Sequence, residues 1–348
     1  MHLPHIPPFD HDLHARAAAR IAGLAKPPGA LGRIETLAAQ IAAVRGSLAP
    51  DVARAVVLVF AGDHGLTEDG VSRYPAAVTK AMAETMLRGK ASVSAFAAGT
   101  GVEVRVIDAG VARPVNVPAS IPANSFTDAN VRRGTANAAR MAAMARGEAE
   151  RAVQRGVEIA QQAVAEGFGI IAPGEMGIGN SASAALLMHR LADISLSDCV
   201  GRGAGQDDAG LAHKLAVLAR AAARTKVTAP IDVLAEFGGC EIAMMAGAML
   251  GGAAARAVVV VDGFIATVAA LTALRLAPDA RSYFIFAHRS AEAGHTRLLA
   301  TLKAEPLLDL GMRLGEGTGA ILAVPLLQAA ARLLTDVATL DDVLATMG

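Results

Sequence analysis

The chain has 348 residues, and its 32 Lys+Arg balance its 32 Asp+Glu, so the formal charge at pH 7 is zero. With no global field to gather nucleic acid or an anionic membrane, a small neutral or locally anionic ligand fits better; the length allows one large domain with an accessory, or two modest domains. Mean hydropathy is high because alanine and glycine raise it, and the longest apolar candidate, Ile242 to Ala255, stops at Arg256, too short to span a bilayer.

The start, Met1-His2-Leu3-Pro4-His5, lacks the basic and apolar segments of a signal peptide, which predicts a cytoplasmic protein with no membrane anchor. His2, His5, His11 and His14 have a metal-like spacing but lie in a proline-rich arm with no framework to hold an ion, so no metal is expected. An Ala-rich helical pattern runs from His11 to Leu24. Lys26-Pro27-Pro28-Gly29 breaks it, and a second helix runs from about Leu31 to Val44, closed by Gly46. Ala55 to Ala61 is the first apolar run of strand length, ending at Gly62-Asp63-His64-Gly65. Pro75 is placed to be the first residue of a helix toward Leu87, and another helical piece covers Ala91 to Ala98.

Four later runs repeat the theme: Val102 to Ile107 before Asp108, Ile170 to Pro173 before Glu175, Ala257 to Val261 before Asp262, and Tyr283 to Ala287 before His288. Helical segments separate them. The exception is Val111 to Arg132, a Pro- and Asn-bearing stretch that reads as a surface excursion with the reach to meet a partner subunit. Strand–helix alternation with wholly apolar strands predicts an α/β fold, a doubly wound (Rossmann-like) parallel sheet covered on both faces. The helices from Ala320 onward have no strand among them and can join the N-terminal pair in a small helical domain. The predicted division is 1–50 for the N-terminal helices, 51–314 for the α/β domain, and 315–348 for a glycine-rich loop and the C-terminal helices. Cys199 and Cys240, the only cysteines, have no CxxC spacing and are expected as buried thiols.

In open parallel sheets ligands bind beyond the carboxyl ends of the strands. Asp63, His64, Asp108, Glu175, Asp262 and His288 all fall there, so the fold predicts one polar rim. Two glycine-rich segments share it. Gly174-Glu175-Met176-Gly177-Ile178-Gly179-Asn180-Ser181 leads from a strand into a helix over Ala182 to Leu191, an arrangement that offers backbone N–H groups to a phosphate. Gly201-Arg202-Gly203-Ala204-Gly205-Gln206-Asp207-Asp208 opens a helix bearing His213 and Lys214, which adds donors and a mobile cation. Neither segment has the Gly-Lys-Ser/Thr ending of a Walker A loop, nor is either a GxGxxG after the first strand. Near the C-terminus, Leu314-Gly315-Glu316-Gly317-Thr318-Gly319-Ala320 sets one carboxylate among glycines and before an apolar run. The glycines permit close backbone approach, and the apolar flanks favour proton uptake by Glu316, as a general base requires; alternatively Glu316 only meets first-turn N–H groups at a helix entry.

These residues resemble the nicotinate-nucleotide:dimethylbenzimidazole phosphoribosyltransferase family of cobamide biosynthesis. The resemblance runs in order through Lys26-Pro27-Pro28-Gly29-Ala30-Leu31-Gly32-Arg33, Ala61-Gly62-Asp63-His64-Gly65, the Gly174 and Gly201 segments, Asp262-Gly263-Phe264-Ile265, Ala287-His288-Arg289-Ser290-Ala291-Glu292 and Gly315-Glu316-Gly317-Thr318-Gly319. It implies a Rossmann-like sheet with a small helical domain, a homodimer, no cofactor, and nicotinate mononucleotide with a benzimidazole-type base as substrates. The family's base falls on Glu316. The nucleotide loop carries over Gly174, Glu175, Gly177, Gly179 and Asn180; Gly203, Gly205, Lys214, Asp262 and Ser290 follow as substrate residues, as do Ser72, Tyr74, Ala81 and Met82. Two departures stand out. Val78-Thr79-Lys80-Ala81-Met82 has alanine where the family commonly has the glutamine that reaches the acceptor, and Gly89-Lys90-Ala91-Ser92-Val93-Ser94 replaces a Gly-Gly-Ala-Ala-Ile-Asn pattern.

Two other readings compete. A dinucleotide-dependent oxidoreductase suits the sheet but lacks the first-strand fingerprint. A non-catalytic nucleotide-binding regulator would need the loops alone, with Glu316 as a cap.

Overall fold

The computed structural model describes residues 1–203 and 205–347. Ala204, within the second glycine-rich segment, lies outside the described residues.

The apolar runs form strands β1 (Ala55–Gly62), β2 (Glu103–Gly110), β4 (Ile170–Met176), β5 (Val258–Val261) and β6 (Phe284–Phe286), and a short β3 (Phe126–Asp128) precedes β4. They make one six-stranded sheet in the order β3-β2-β1-β4-β5-β6, with every neighbouring pair parallel. This is the doubly wound order, with its switch point between β1 and β4. All eight residues of β1 are buried; because successive side chains point to opposite faces, helices must cover both sides of the sheet.

The expected surface excursion needs a correction. Within Val111 to Arg132, residues 126–128 pair with Val106, Ile107 and Asp108 as the edge strand β3. Three partly exposed residues carry no readable period, so only the pairing reveals them. The helix expected from Pro75 begins instead at Ala77, and the Pro75 carbonyl accepts the Val78 N–H at 3.1 Å in the turn before it. The helix Arg33–Arg45 ends at Gly46 in the left-handed region (φ 68°), as expected.

Both chain ends are helical and pack together. His11–Ala22 lies on Arg33–Arg45, which lies on Thr318–Asp336, and Leu24 bridges to Thr339. Thr318–Asp336 also contacts β1, β4 and the helix Ser92–Thr100, so it ties this group to the sheet. That helix, not Ile242 to Ala255, is the one among the described residues long and apolar enough to cross a membrane. Here Ala320, Ile321, Val324, Leu327 and Leu334 are buried in the protein core. Cys199 and Cys240 are buried free thiols, their pKa values raised by burial.

Candidate active site

A cavity of about 480 Å³ opens beyond the carboxyl ends of β4 and β5. Chain direction explains its walls, since in a parallel sheet each strand delivers its following residues to the same edge. Of the residues singled out by sequence, Glu175, Gly177, Gly179 and Asn180 come from the β4 turn, Asp262 from the end of β5, and Ser290 from beyond β6. Ser72, Tyr74 and Met82 arrive from the region after β1, and Gly203 and Glu316 complete the set. Four others lie off the wall: Gly174, Ala81, Gly205 and Lys214. Ala81 is exposed on the helix Ala77–Leu87, whose Val78 and Met82 do face the cavity.

Glu316 is a buried residue with φ 62°, a left-handed conformation that a glutamate seldom takes. The neighbouring sequence makes that conformation available. Gly315 and Gly317 have φ of 90° and 85°; a Cβ on Gly315 would overlap Glu175 Oε1, and one on Gly317 would lie 2.6 Å from Val57 Cγ1. Gly174 lies directly beneath the loop, where a Cβ would meet the Glu316 carbonyl oxygen at 2.7 Å, so its contribution is close backbone crossing. Thr318 Oγ1 donates to the Gly315 carbonyl at 2.7 Å and closes the turn. The Glu316 carboxylate accepts the Val93 N–H at 3.2 Å, in the first turn of Ser92–Thr100. Burial raises its pKa, the Val93 N–H opposes that, and the negative charge of Asp262 adds to it, leaving the carboxyl above its ordinary range. Sequence thus located a helix-entry carboxylate correctly, but the N–H it meets belongs to a different helix.

Glu175, Asp262 and Glu316 make the site rich in carboxylates. Burial pushes Glu175 up to about 8, and its carboxylate neighbours add to the effect against a hydrogen bond from Asn180 Nδ2. Arg202 and Arg313 line the same cavity, and Arg313 Nη1 donates to the Gly203 carbonyl at 3.2 Å, linking the two loops. Lys214 is not the mobile cation expected. It is buried behind the wall, and Nζ donates to Ser181 Oγ at 2.9 Å and the Gly201 carbonyl at 3.1 Å; burial brings its pKa down to about 8. A long side chain in a half-apolar helix gives no sequence sign of which way it turns.

The single rim expected from six strand-end residues divides into two. Glu175, Asp262 and His288 reach the cavity, whereas Asp63, His64 and Asp108 do not. Asp108 is spent on structure, accepting from Val111 N–H, Asn130 Nδ2 and Arg133 Nη1, each at 2.8 Å. Asp63 accepts the Ala112 N–H at 2.8 Å, and His64 Nε2 meets the buried Glu241 Oε1 at 2.6 Å. The division follows the switch point: Asp63, His64 and Asp108 come after β1 and β2, whereas Glu175, Asp262 and His288 come from the ends of β4, β5 and β6 on its other side.

Sequence reading missed Arg202 and Arg313 as cavity residues, and the apolar wall from Val71, Val78, Phe264 and Ile265. The two arginines had a signal, since Arg202 lies within one glycine segment already singled out and Arg313 immediately precedes another. Val78, Phe264 and Ile265 lay in segments already singled out but look like ordinary core, and Val71 had no signal. Among the described residues there is no group of three or more His, Cys, Asp and Glu suited to a metal ion.

The sequence matches the profile of a phosphoribosyltransferase family over residues 6–343. It is 50% identical over 332 residues to the nicotinate-nucleotide–dimethylbenzimidazole phosphoribosyltransferase of Ralstonia nicotianae, covering 95% of this chain and 93% of that one. Its counterpart of the same name in Deinococcus radiodurans is 47% identical over 347 residues, covering 98% and 93%. A crystal structure of the enzyme so named from Thermus thermophilus superposes with a TM-score of 0.89 at 42% identity, covering 97% of this chain and 100% of that one.

Proposed function

This chain belongs to the phosphoribosyltransferase family, and we propose that it moves the phosphoribosyl group of nicotinate mononucleotide to 5,6-dimethylbenzimidazole or a related base, yielding an α-riboside 5′-phosphate and nicotinate for the cobamide lower-ligand loop. The observation that carries the reading is Glu316, a buried carboxylate held left-handed between glycines at the cavity wall. The chemistry asks for one base and no acid. The nucleotide's ring nitrogen is cationic, so nicotinate leaves with a neutral ring nitrogen, taking the C1′–N bond electrons. The attacking benzimidazole nitrogen bonds C1′ from the opposite face, which converts β to α. The single N–H, on the ring's other nitrogen, must then be lost, and Glu316 takes that proton; a raised pKa suits it to the work. Ionised carboxylates beside the sugar, Glu175 first among them, oppose the positive charge that develops there.

The phosphate is assigned to the N-terminus of the helix Asn180–Ala192, with Arg202 and Arg313 near it. In this reading Gly177, Gly179, Asn180 and Gly203 meet the nucleotide directly. Gly205 and Lys214 act by supporting the loops, and Ser72, Tyr74 and Met82 surround the acceptor. The reading also includes a homodimer in the cytoplasm and a small domain from residues 1–50 and 315–348; light scattering on purified protein tests the dimer. The regulator alternative draws on the Val93–Glu316 bond, which makes Glu316 a helix cap. Incubating the protein with nicotinate mononucleotide and dimethylbenzimidazole, and following nicotinate release by chromatography, separates the two: tight binding without release would favour the regulator.

Gly179→Val tests the phosphate assignment. Gly179 has φ 90°, and a Cβ there would lie 2.8 Å from Thr67 Cγ2, so valine displaces the helix N-terminus. The expected result is a dissociation constant for nicotinate mononucleotide raised by about tenfold or more, the equivalent of one lost charge-assisted contact. An unchanged value in the folded variant would move the phosphate to the Gly201–Gly205 turn.

A further inference from the structure

We propose, building on the assignment of Glu316 as the base, that Asp262 and His288 are a positioning pair: Asp262 anchors the backbone of the Glu316 loop to the sheet, and His288 braces Asp262. Asp262 follows β5 directly, and β5 is buried throughout. One carboxylate oxygen, Oδ2, accepts the Gly317 N–H at 3.2 Å; the other, Oδ1, accepts the Ala320 N–H at 2.8 Å. These donors belong to the first turn of Thr318–Asp336, so the carboxylate completes an otherwise open helix N-terminus. With a backbone N–H on each oxygen, the acceptor-only ionised form is the one that fits.

The anchor sits one residue beyond Glu316, whose left-handed backbone persists only while its surroundings hold it. Asp262 therefore acts on the reaction through Glu316. His288 comes from beyond the adjacent strand, β6, and is 2% exposed, as is Asp262. His288 Nε2 lies 3.7 Å from Asp262 Oδ1, within ion-pair range, while its Nδ1 is buried with no partner in the described residues. The ring is consequently set by Asp262 and by Gly319, where a Cβ would overlap it. Side chains from two neighbouring strands thus converge on one helix start.

The groups facing this unit are few. Glu316 meets the Val93 N–H and the charge of Asp262, and Glu175, hydrogen-bonded by Asn180, feels the charges of Asp262, Glu241 and Glu316. Asp262 itself faces His288, and the buried ring of His295 lies edge-on to His288 with 6.4 Å between centroids.

Asp262→Asn removes the charge and turns one acceptor into a donor against an N–H. Steady-state kinetics should show kcat reduced about 10²-fold, the cost of misplacing a reacting group by roughly 1 Å, with KM for nicotinate mononucleotide within about threefold. The acid limb of the kcat–pH profile should move to lower pH, because Glu316 loses a negative neighbour. In a Glu316→Gln background the same change should cost nothing further, as expected for residues that act as a unit. An unchanged kcat and acid limb would overturn the proposal. So would a raised KM at unchanged kcat, which would make Asp262 a substrate ligand. If Asp262→Asn fails to fold, His288→Gln decides: about a tenfold fall in kcat at constant KM supports the pair, and an unchanged kcat overturns it. A parent enzyme that releases no nicotinate at all would refute the transferase reading, a result separate from any of these.

Discussion

Glu316→Gln should lower kcat by between about 10²- and 10⁴-fold while leaving the affinity for nicotinate mononucleotide within a few-fold of the parent, the range that general-base catalysis spans. The glutamine keeps the size of the side chain and still accepts the Val93 N–H through its oxygen, so the loop has no reason to move. What is lost is the ability to take the benzimidazole proton. On the proposed assignment the nucleotide is held elsewhere, by the turn after β4 and the helix Asn180–Ala192, so binding and chemistry should separate in this variant. Isothermal titration with nicotinate mononucleotide alone, beside turnover with both substrates, measures the two terms. Transfer within about tenfold of the parent would remove Glu316 from the base role and leave it as the cap of Ser92–Thr100.

The sequence made the sheet legible because its strands are buried on both faces and read as continuous apolar runs; β1 and β5 need no alternation to be found. It could not show β3, which exists because Phe126–Asp128 pairs with β2 rather than because of its own composition. The glycine-rich loops were legible for a related reason. Backbone positions with positive φ favour glycine, and Gly179, Gly203, Gly315 and Gly317 all have it. Side-chain direction was much less legible. Asp63 and Asp262 occupy equivalent places after β1 and β5, yet one accepts the Ala112 N–H and the other caps the helix that follows Glu316. Lys214 likewise turned inward to Ser181 and Gly201. Such choices depend on which N–H groups distant segments leave unpaired, and a linear reading does not supply those partners.

Glu175 should make the unliganded protein less stable as pH rises from 6.5 toward 8, and Glu175→Gln should flatten that slope. Its carboxyl is pushed from 4.5 up to about 8, chiefly by burial and further by Asp262, Glu241 and Glu316. The folded state therefore holds a proton that the unfolded chain has already released, and such stabilisation is full below the unfolded value and disappears as pH climbs through the folded one. At about 1.4 kcal/mol per pH unit, the full interval is worth on the order of 5 kcal/mol as an upper limit. Other groups define the useful window. His295 is pulled down to about 3 by burial, so its opposing contribution, stability gained with rising pH, is complete by about 6.5. Lys214, lowered to about 8, adds stability only above that value. Raised Glu316, Asp262, Asp63 and His64 contribute with the same sign as Glu175, but they remain in the variant, so the difference between parent and Glu175→Gln isolates one carboxyl. The same proton should leave when a ligand with a cationic ring enters the cavity, because a positive charge beside Glu175 favours the carboxylate. Calorimetric titration at pH 7.5 in two buffers of different ionisation enthalpy would register that release. A parent whose Tm between pH 6.5 and 8 tracks that of Glu175→Gln, with equal heats in both buffers, would show that Glu175 is already ionised in the empty site.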